Sequence, residues 1–135
     1  MAEDHVRLAV PSRAEFAKAV RMTASALVSR MGMTFDEVDD VRMAAEETFV
    51  YACDHSPESG MVELEFTLGD ESFEIRVGLG DASGLGDGED AERRAGYATF
   101  ILASVCDHFE LSSDENGAFL RVVKCVAGES EHALG

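Results

Sequence analysis

The chain has 135 residues, enough for one domain around a single core and too few for two. Its 46% hydrophobic content excludes a disordered polymer, and with Trp absent the core must come from aliphatic residues, Met and eight Phe. A formal charge of -16, from 27 acidic and 11 basic residues, disfavours nucleic acid and an anionic membrane surface as partners and favours a basic protein.

HVRLAV alternates Val6, Leu8 and Val10 and predicts a short first strand. Pro11-Ser12 then opens a helix with Ser12 as its N-cap. Phe16, Val20, Met22, Ala26, Leu27 and Met31 are its expected apolar positions, and Gly32 ends it. Thr34 and Glu37 have the spacing of a capping box, with Asp36 adding charge to the first turn. Helical periodicity runs to about His55 and puts Val38, Val41, Ala45, Thr48, Phe49 and Ala52 on one broad face.

SPESG breaks the chain. MVELEFTL and SFEIRVGL alternate at period two around a short polar link and predict an antiparallel hairpin. GLGDASGLGDGEDAERRAG follows as a flexible acidic loop suited to a lid. A third helix is expected over 91–106, with Tyr97, Ile101, Ser104 and Val105 on one side. HFELSS and AFLRVVKCVA form two final strands around the turn DENG. The order β-α-α-β-β-α-β-β predicts an α+β fold, a two-layer α/β sandwich with helices on one face of a mixed, mostly antiparallel sheet. Residues 1–135 form one domain, with 128–135 a frayed tail.

Cys53, Cys106 and Cys125 are an odd set without disulfide spacing, which suggests free thiols in a reducing compartment. The opening MAEDHVRLAVPS has no basic segment followed by an apolar one, so no secretion signal is expected. No apolar run reaches the ~20 residues of a membrane span. These features predict a cytoplasmic protein.

The stretch AAEETFVYACDHS carries the densest chemistry. With Glu47 at the origin of a helical wheel, Tyr51 and Asp54 fall within about 40° of it. Met43 and Val50 flank the same face. A fully solvated face rarely gathers Met, Val and Tyr, so Glu47 is expected at the edge of a partly covered surface, where a carboxylate's pKa rises and it can act as a base. The plainer alternative is an acidic helix surface with scattered apolar residues.

The triplet Cys-Asp-His occurs at 53–55 and again at 106–108. Two Cys and two His suit Zn²⁺, but residues two apart on a helix diverge by ~200°. Buried free thiols are the expected reading, and no metal site is assigned. GLGDGED clusters carboxylates without the order of an EF-hand. No Gly-x-Ser-x-Gly elbow or Walker phosphate loop appears, so hydrolase chemistry has no support.

DDVRMAAEETFVYACDH resembles the first helix motif of the anti-sigma-factor serine kinases, which belong with gyrase, MutL and histidine kinases to the GHKL superfamily of ATPases. Their pattern Glu-x-x-x-Asn-x-x-x-His aligns Glu47 with the Glu, Tyr51 with the Asn and His55 with the His. The resemblance implies that Glu47 is the general base of phosphoryl transfer and that position 51 is the Mg²⁺ ligand position. FEIRVGLG resembles the strand that leads into the family's adenine-binding Asp-x-Gly-x-Gly. GYATFILASVCDHFELSSDENGAFLRVVK resembles the last helix and hairpin, with Gly96, Asp107 and Gly117 in the expected places. The match in order and spacing covers nearly the whole chain. It implies a Bergerat-type ATP-binding fold, ATP and Mg²⁺ as cofactors, a sigma factor or STAS-type anti-anti-sigma factor as protein partner, and a homodimer.

Several motif positions depart from that family. Mg²⁺ demands compact oxygen ligands at about 2.0–2.1 Å, and the ring of Tyr51 fills the space a metal or phosphate needs. Two registers stay open at the adenine position. If Val77 ends the strand, Leu79 replaces the Asp and accepts no hydrogen bond from an adenine amino group. If Leu79 ends it, Asp81 survives but Ser83 and Leu85 replace both glycines. Hairpin lengths favour Leu79.

At the third motif Gly96 is kept, but Ala98 replaces the second glycine of the phosphate cradle. Asp81, Asp87, Glu89 and Asp90 repel a triphosphate, leaving Arg93 and Arg94 as phosphate partners or as a solvated pair. Beside Glu47 as catalytic base, the expected nucleotide-site residues are therefore Tyr51, Asp54, His55, Leu79, Asp81, Arg93, Arg94, Gly96 and Ala98. These departures predict a regulatory anti-sigma-type domain whose ATP binding is weak or lost. Two rivals stay open. One is a working serine kinase in which Asp54 or His55 takes over from the Asn. The other is a ligand-binding module that reuses the cleft.

Overall fold

Period-two alternation in five segments builds one sheet. Its strands are β1 (Asp4–Pro11), β2 (Met61–Leu68), β3 (Ser72–Gly78), β4 (His108–Asp114) and β5 (Gly117–Cys125), in the spatial order β1-β2-β3-β5-β4. The computed structural model describes residues 3–55, 60–79 and 89–126, with backbone alone for 89–92. Leu64 lies opposite Val77, and Val77 opposite Leu120, so the inward parity is continuous across the sheet. Val62, Leu64, Phe66, Phe73, Ile75, Val77, Leu120 and Val122 are buried on that face.

The outward parity carries charge. Arg121 reaches Glu74 at 3.0 Å and Glu110 at 3.4 Å, while Arg76 pairs with Asp114 at 2.8 Å and lies over the Phe119 ring. All four strand pairings are antiparallel, where a mixed, mostly antiparallel sheet was expected. The reason is topological. Two helices rather than one separate β1 from β2, and β5 inserts between β3 and β4, the pair that would otherwise run parallel.

Three helices cover the inner face. A 3-10 turn over Ala14–Phe16 precedes α1 (Ala17–Val28), which buries Ala17, Val20, Ala24 and Val28 at helical spacing. Two sequence expectations for this segment are corrected. Met22 and Ala26 point outward, because each lies two residues, or about 200° of helical turn, from the buried Val20, Ala24 and Val28. Ser12 is not the cap either: the N-cap position of the turn is Arg13, and the Ser12 side chain hydrogen-bonds the Cys53 thiol instead. Gly32 adopts φ 78° in the link to the next helix, a conformation that costs glycine little.

The second helix, α2 (Phe35–His55), starts as its capping box predicts. The Thr34 amide donates to Glu37 Oε1 at 2.9 Å, and the Glu37 amide donates to Thr34 Oγ1 at 3.1 Å. Val41, Ala44, Ala45, Thr48, Phe49, Tyr51 and Ala52 are buried along it.

The third helix, α3 (Glu89–Val105), buries Ala98, Leu102 and Val105. Of the side grouping Tyr97, Ile101, Ser104 and Val105, only Val105 is buried, and Tyr97 is 62% exposed. A small Ala at the crossing lets helices approach closely, which a Tyr there would prevent. Lys124 of β5 ties the layers together. Its Nζ donates to Asp40 Oδ2 at 2.9 Å and to the Val105 carbonyl at 3.1 Å, at the C-terminal end of α3.

Candidate functional site

Beside the α2/α3 contact a groove of about 500 Å³ opens. Glu46, Glu47, Val50, Tyr51 and Asp54 line it from α2, and Arg93, Arg94, Tyr97 and Ala98 from α3. Residues three and four apart share a helical face, which brings 47, 50, 51 and 54 together from one side and 94, 97 and 98 from the other. The Arg94 Nε donates to Asp54 Oδ2 at 3.1 Å, across the groove. Arg21 of α1 reaches over to Glu46, with Nη1 2.6 Å from Oε1. A second hollow of about 450 Å³ continues along the helices and adds Asp39, Arg42, Met43 and Ile101 to the lining.

Burial pushes the Glu47 carboxyl above its ordinary pKa, and the neighbouring charge of Glu46 pushes it further the same way. Tyr51 is only 8% exposed, and burial raises its phenol too, so the hydroxyl keeps its proton. The Tyr51 ring stacks on the His55 imidazole one turn on. Cys53 sits behind this face, its thiol raised by burial and by Asp54, against the lowering effect of the Ser12 hydrogen bond.

The groove gathers Glu47, Tyr51, Asp54, Arg93, Arg94 and Ala98 from the sequence-derived site. Glu47 lies half-buried at the edge of a covered surface, as its helical position suggested. His55 does not line the groove but backs the Tyr51 ring. Leu79 also lies elsewhere: its amide donates to the Ala118 carbonyl at 2.8 Å and its side chain packs against the core.

Gly96 is the eighth residue of α3, one turn beyond the first-turn amides of 89–92 that a helix leaves unpaired. Asp81 lies outside the described residues, as do residues 80–88 of the acidic segment read as a lid; its last part, 89–96, is not loop but the start of α3, where helical hydrogen bonding carries on from Glu89. Arg21, Glu46 and Tyr97 were not legible as site residues. Arg21 joins from another helix, and Tyr97 enters the groove only through the packing of α3 on α2.

Residues 10–124 match the family of histidine kinase-like ATPase domains, and the chain belongs to that family. It is similar to the serine-protein kinase RsbW of Halalkalibacterium halodurans, with 28% identity over 88% of this chain and 82% of that protein. The serine-protein kinase RsbW of Staphylococcus epidermidis is 25% identical over 94% of this chain and 90% of its own length. In fold, the chain resembles the crystal structure of the RsbU and RsbW domains of Rv1364c from Mycobacterium tuberculosis. The TM-score is 0.61 at 12% identity, covering 90% of this chain and 32% of that one.

Proposed function

We propose that this chain is a partner-switching regulator of the anti-sigma type, holding a sigma factor or a STAS-type antagonist in the cytoplasm and binding ATP weakly or not at all. Family membership and similarity to proteins named serine-protein kinase RsbW support the regulatory part. The observation that carries the second part is Tyr51, buried and stacked on His55 where the family's motif has its Mg²⁺-binding Asn. A protonated phenol is a poor substitute for a compact oxygen ligand.

Two further features agree. Gly96 lies well inside α3, so its amide is not free to meet a phosphate. Glu46, Glu47 and Asp54 gather negative charge along the groove, and Arg94 is already paired with Asp54. These residues do not fit a magnesium triphosphate. A homodimer is part of the same reading, checked by analytical ultracentrifugation.

Calorimetric titration of the full chain with MgATP tests the proposal. The expected result is no saturation below millimolar nucleotide. Micromolar binding, with phosphate transfer onto a serine of a STAS-domain protein, overturns it. The second reading, a working serine kinase, is favoured by Glu47, whose central place and raised pKa suit a general base. The same titration separates the two.

A further inference from the structure

The two hollows between α2 and α3 share Glu46, Glu47 and Tyr97 and therefore form one trough. From Asp39 to Asp54 it follows α2 for about 22 Å at the rise of an α-helix. Met43, Val50, Tyr51, Ala98 and Ile101 give it apolar walls. Its charges are largely matched internally. Arg21 pairs with Glu46 at 2.6 Å, Arg42 with Asp39 at 3.2 Å and Arg94 with Asp54 at 3.1 Å. Glu47 differs from these. It stands at the junction of the two hollows beside the exposed Tyr97 ring, and forms no ion pair or hydrogen bond among the described residues.

We infer that the trough is the docking site for an amphipathic segment of a protein partner, which inserts one lysine or arginine side chain between the Glu47 carboxylate and the Tyr97 ring. The inference rests on the partner-binding function proposed above and names the chemistry of that contact.

A half-covered carboxylate without a partner is an unfavourable arrangement that an incoming cation corrects. An exposed aromatic ring beside it adds a cation–π contact. Met43 and Ile101 lie on one side of this point, and Val50 and Tyr51 on the other. A docked helix therefore needs apolar residues about one turn before and after its cation. The charge of -16 over the whole chain draws a basic segment toward the molecule and repels an anionic one.

The test titrates the full chain with a synthetic helical peptide of about 15 residues, matched to the trough's length, with leucines one turn either side of a single central arginine. A second peptide carries citrulline, the neutral isostere, in place of that arginine. The backbone amide NMR shifts of Val50, Tyr97 and Ile101 are followed. The arginine peptide is expected to shift these amides and to bind about tenfold more tightly than the citrulline peptide. Glu47→Gln and Tyr97→Ala each reduce that preference to below about threefold, whereas Glu63→Gln on the far face of the sheet leaves it intact.

Equal affinity of the two peptides, a preference that survives in Glu47→Gln, or unshifted trough amides overturns the inference. Binding of a purified sigma factor or STAS-domain protein that leaves those amides unshifted sinks the docking site while preserving the regulatory function. Failure of both purified proteins to bind sinks that function instead, whatever the peptides do.

Discussion

Tyr51 and His55 lie ring on ring, with centroids 4.0 Å apart and planes 10° from parallel, and His55 Nδ1 sits 2.7 Å from the Tyr51 carbonyl. The pair is one helical turn of α2. It sets a packed aromatic unit at the two positions that the resemblance aligns with a metal-binding amide and a histidine.

Tyr51→Asn tests that conversion. The ring is buried, so its removal is expected to cost about 2–4 kcal/mol, seen as a lower urea midpoint. The same variant is expected to bind MgATP more tightly than the parent by calorimetry, because the space and an oxygen ligand return together. Unchanged nucleotide affinity in a folded variant counts against the ring as the obstacle.

Glu47 sets a pH dependence. Its folded pKa lies above the ordinary 4.5, through burial first and Glu46 second, so folding favours its protonated form. That contribution is full below pH 4.5 and is lost as pH rises through the higher folded value. Glu47→Gln is therefore expected to raise Tm at pH 7, on the order of 1–3 °C, and to leave it unchanged near pH 4. An equal gain at both pH values in thermal scans rejects the carboxyl's ionisation as the cause.

Thr48 is fully buried, and its Oγ1 has no hydrogen-bond partner among the described residues. Thr48→Val keeps the shape and removes the unsatisfied hydroxyl. It is expected to stabilise the fold by about 1 kcal/mol in chemical denaturation. A loss of stability shows that the hydroxyl is satisfied in solution.

The three thiols are graded by burial. Cys106 is pushed up to about 12, mainly by desolvation, with Asp107 and Asp40 adding to it and Lys124 opposing. Cys125 is exposed. A thiol-specific disulfide reagent at pH 8 is expected to modify the exposed Cys125 first and Cys106 last. Mass spectrometry of the partly labelled chain checks the order.

Much of the fold was legible because its cues are local. The β2–β3 hairpin announces itself by alternation, and Val62 to Phe66 and Phe73 to Val77 bury as that alternation requires. The capping box at Thr34 and Glu37 reads directly as two hydrogen bonds. The apolar face of α1 differs from expectation at Met22, and Tyr97 of α3 likewise stays outside the core. Both are large apolar side chains that the packed layers leave outside. The close contacts use Ala17, Ala24 and Ala98, whose small size carries little hydrophobic signal in a sequence.

The candidate site divides the same way. Glu47, Tyr51 and Asp54 share a face by helical periodicity alone, so one wall of the groove was present in the order of residues. The opposite wall, where Tyr97 lines the same hollows as Glu47, exists only because α3 packs on α2. Which charges are matched is also a tertiary outcome. Arg21 lies 25 residues from Glu46 and Arg94 lies 40 from Asp54, and only folding sets such long-range pairs. Periodicity and capping are properties of a few consecutive residues and survive in the written chain. Grooves, ion pairs and an unpaired carboxylate arise from the separation between elements, which packing decides.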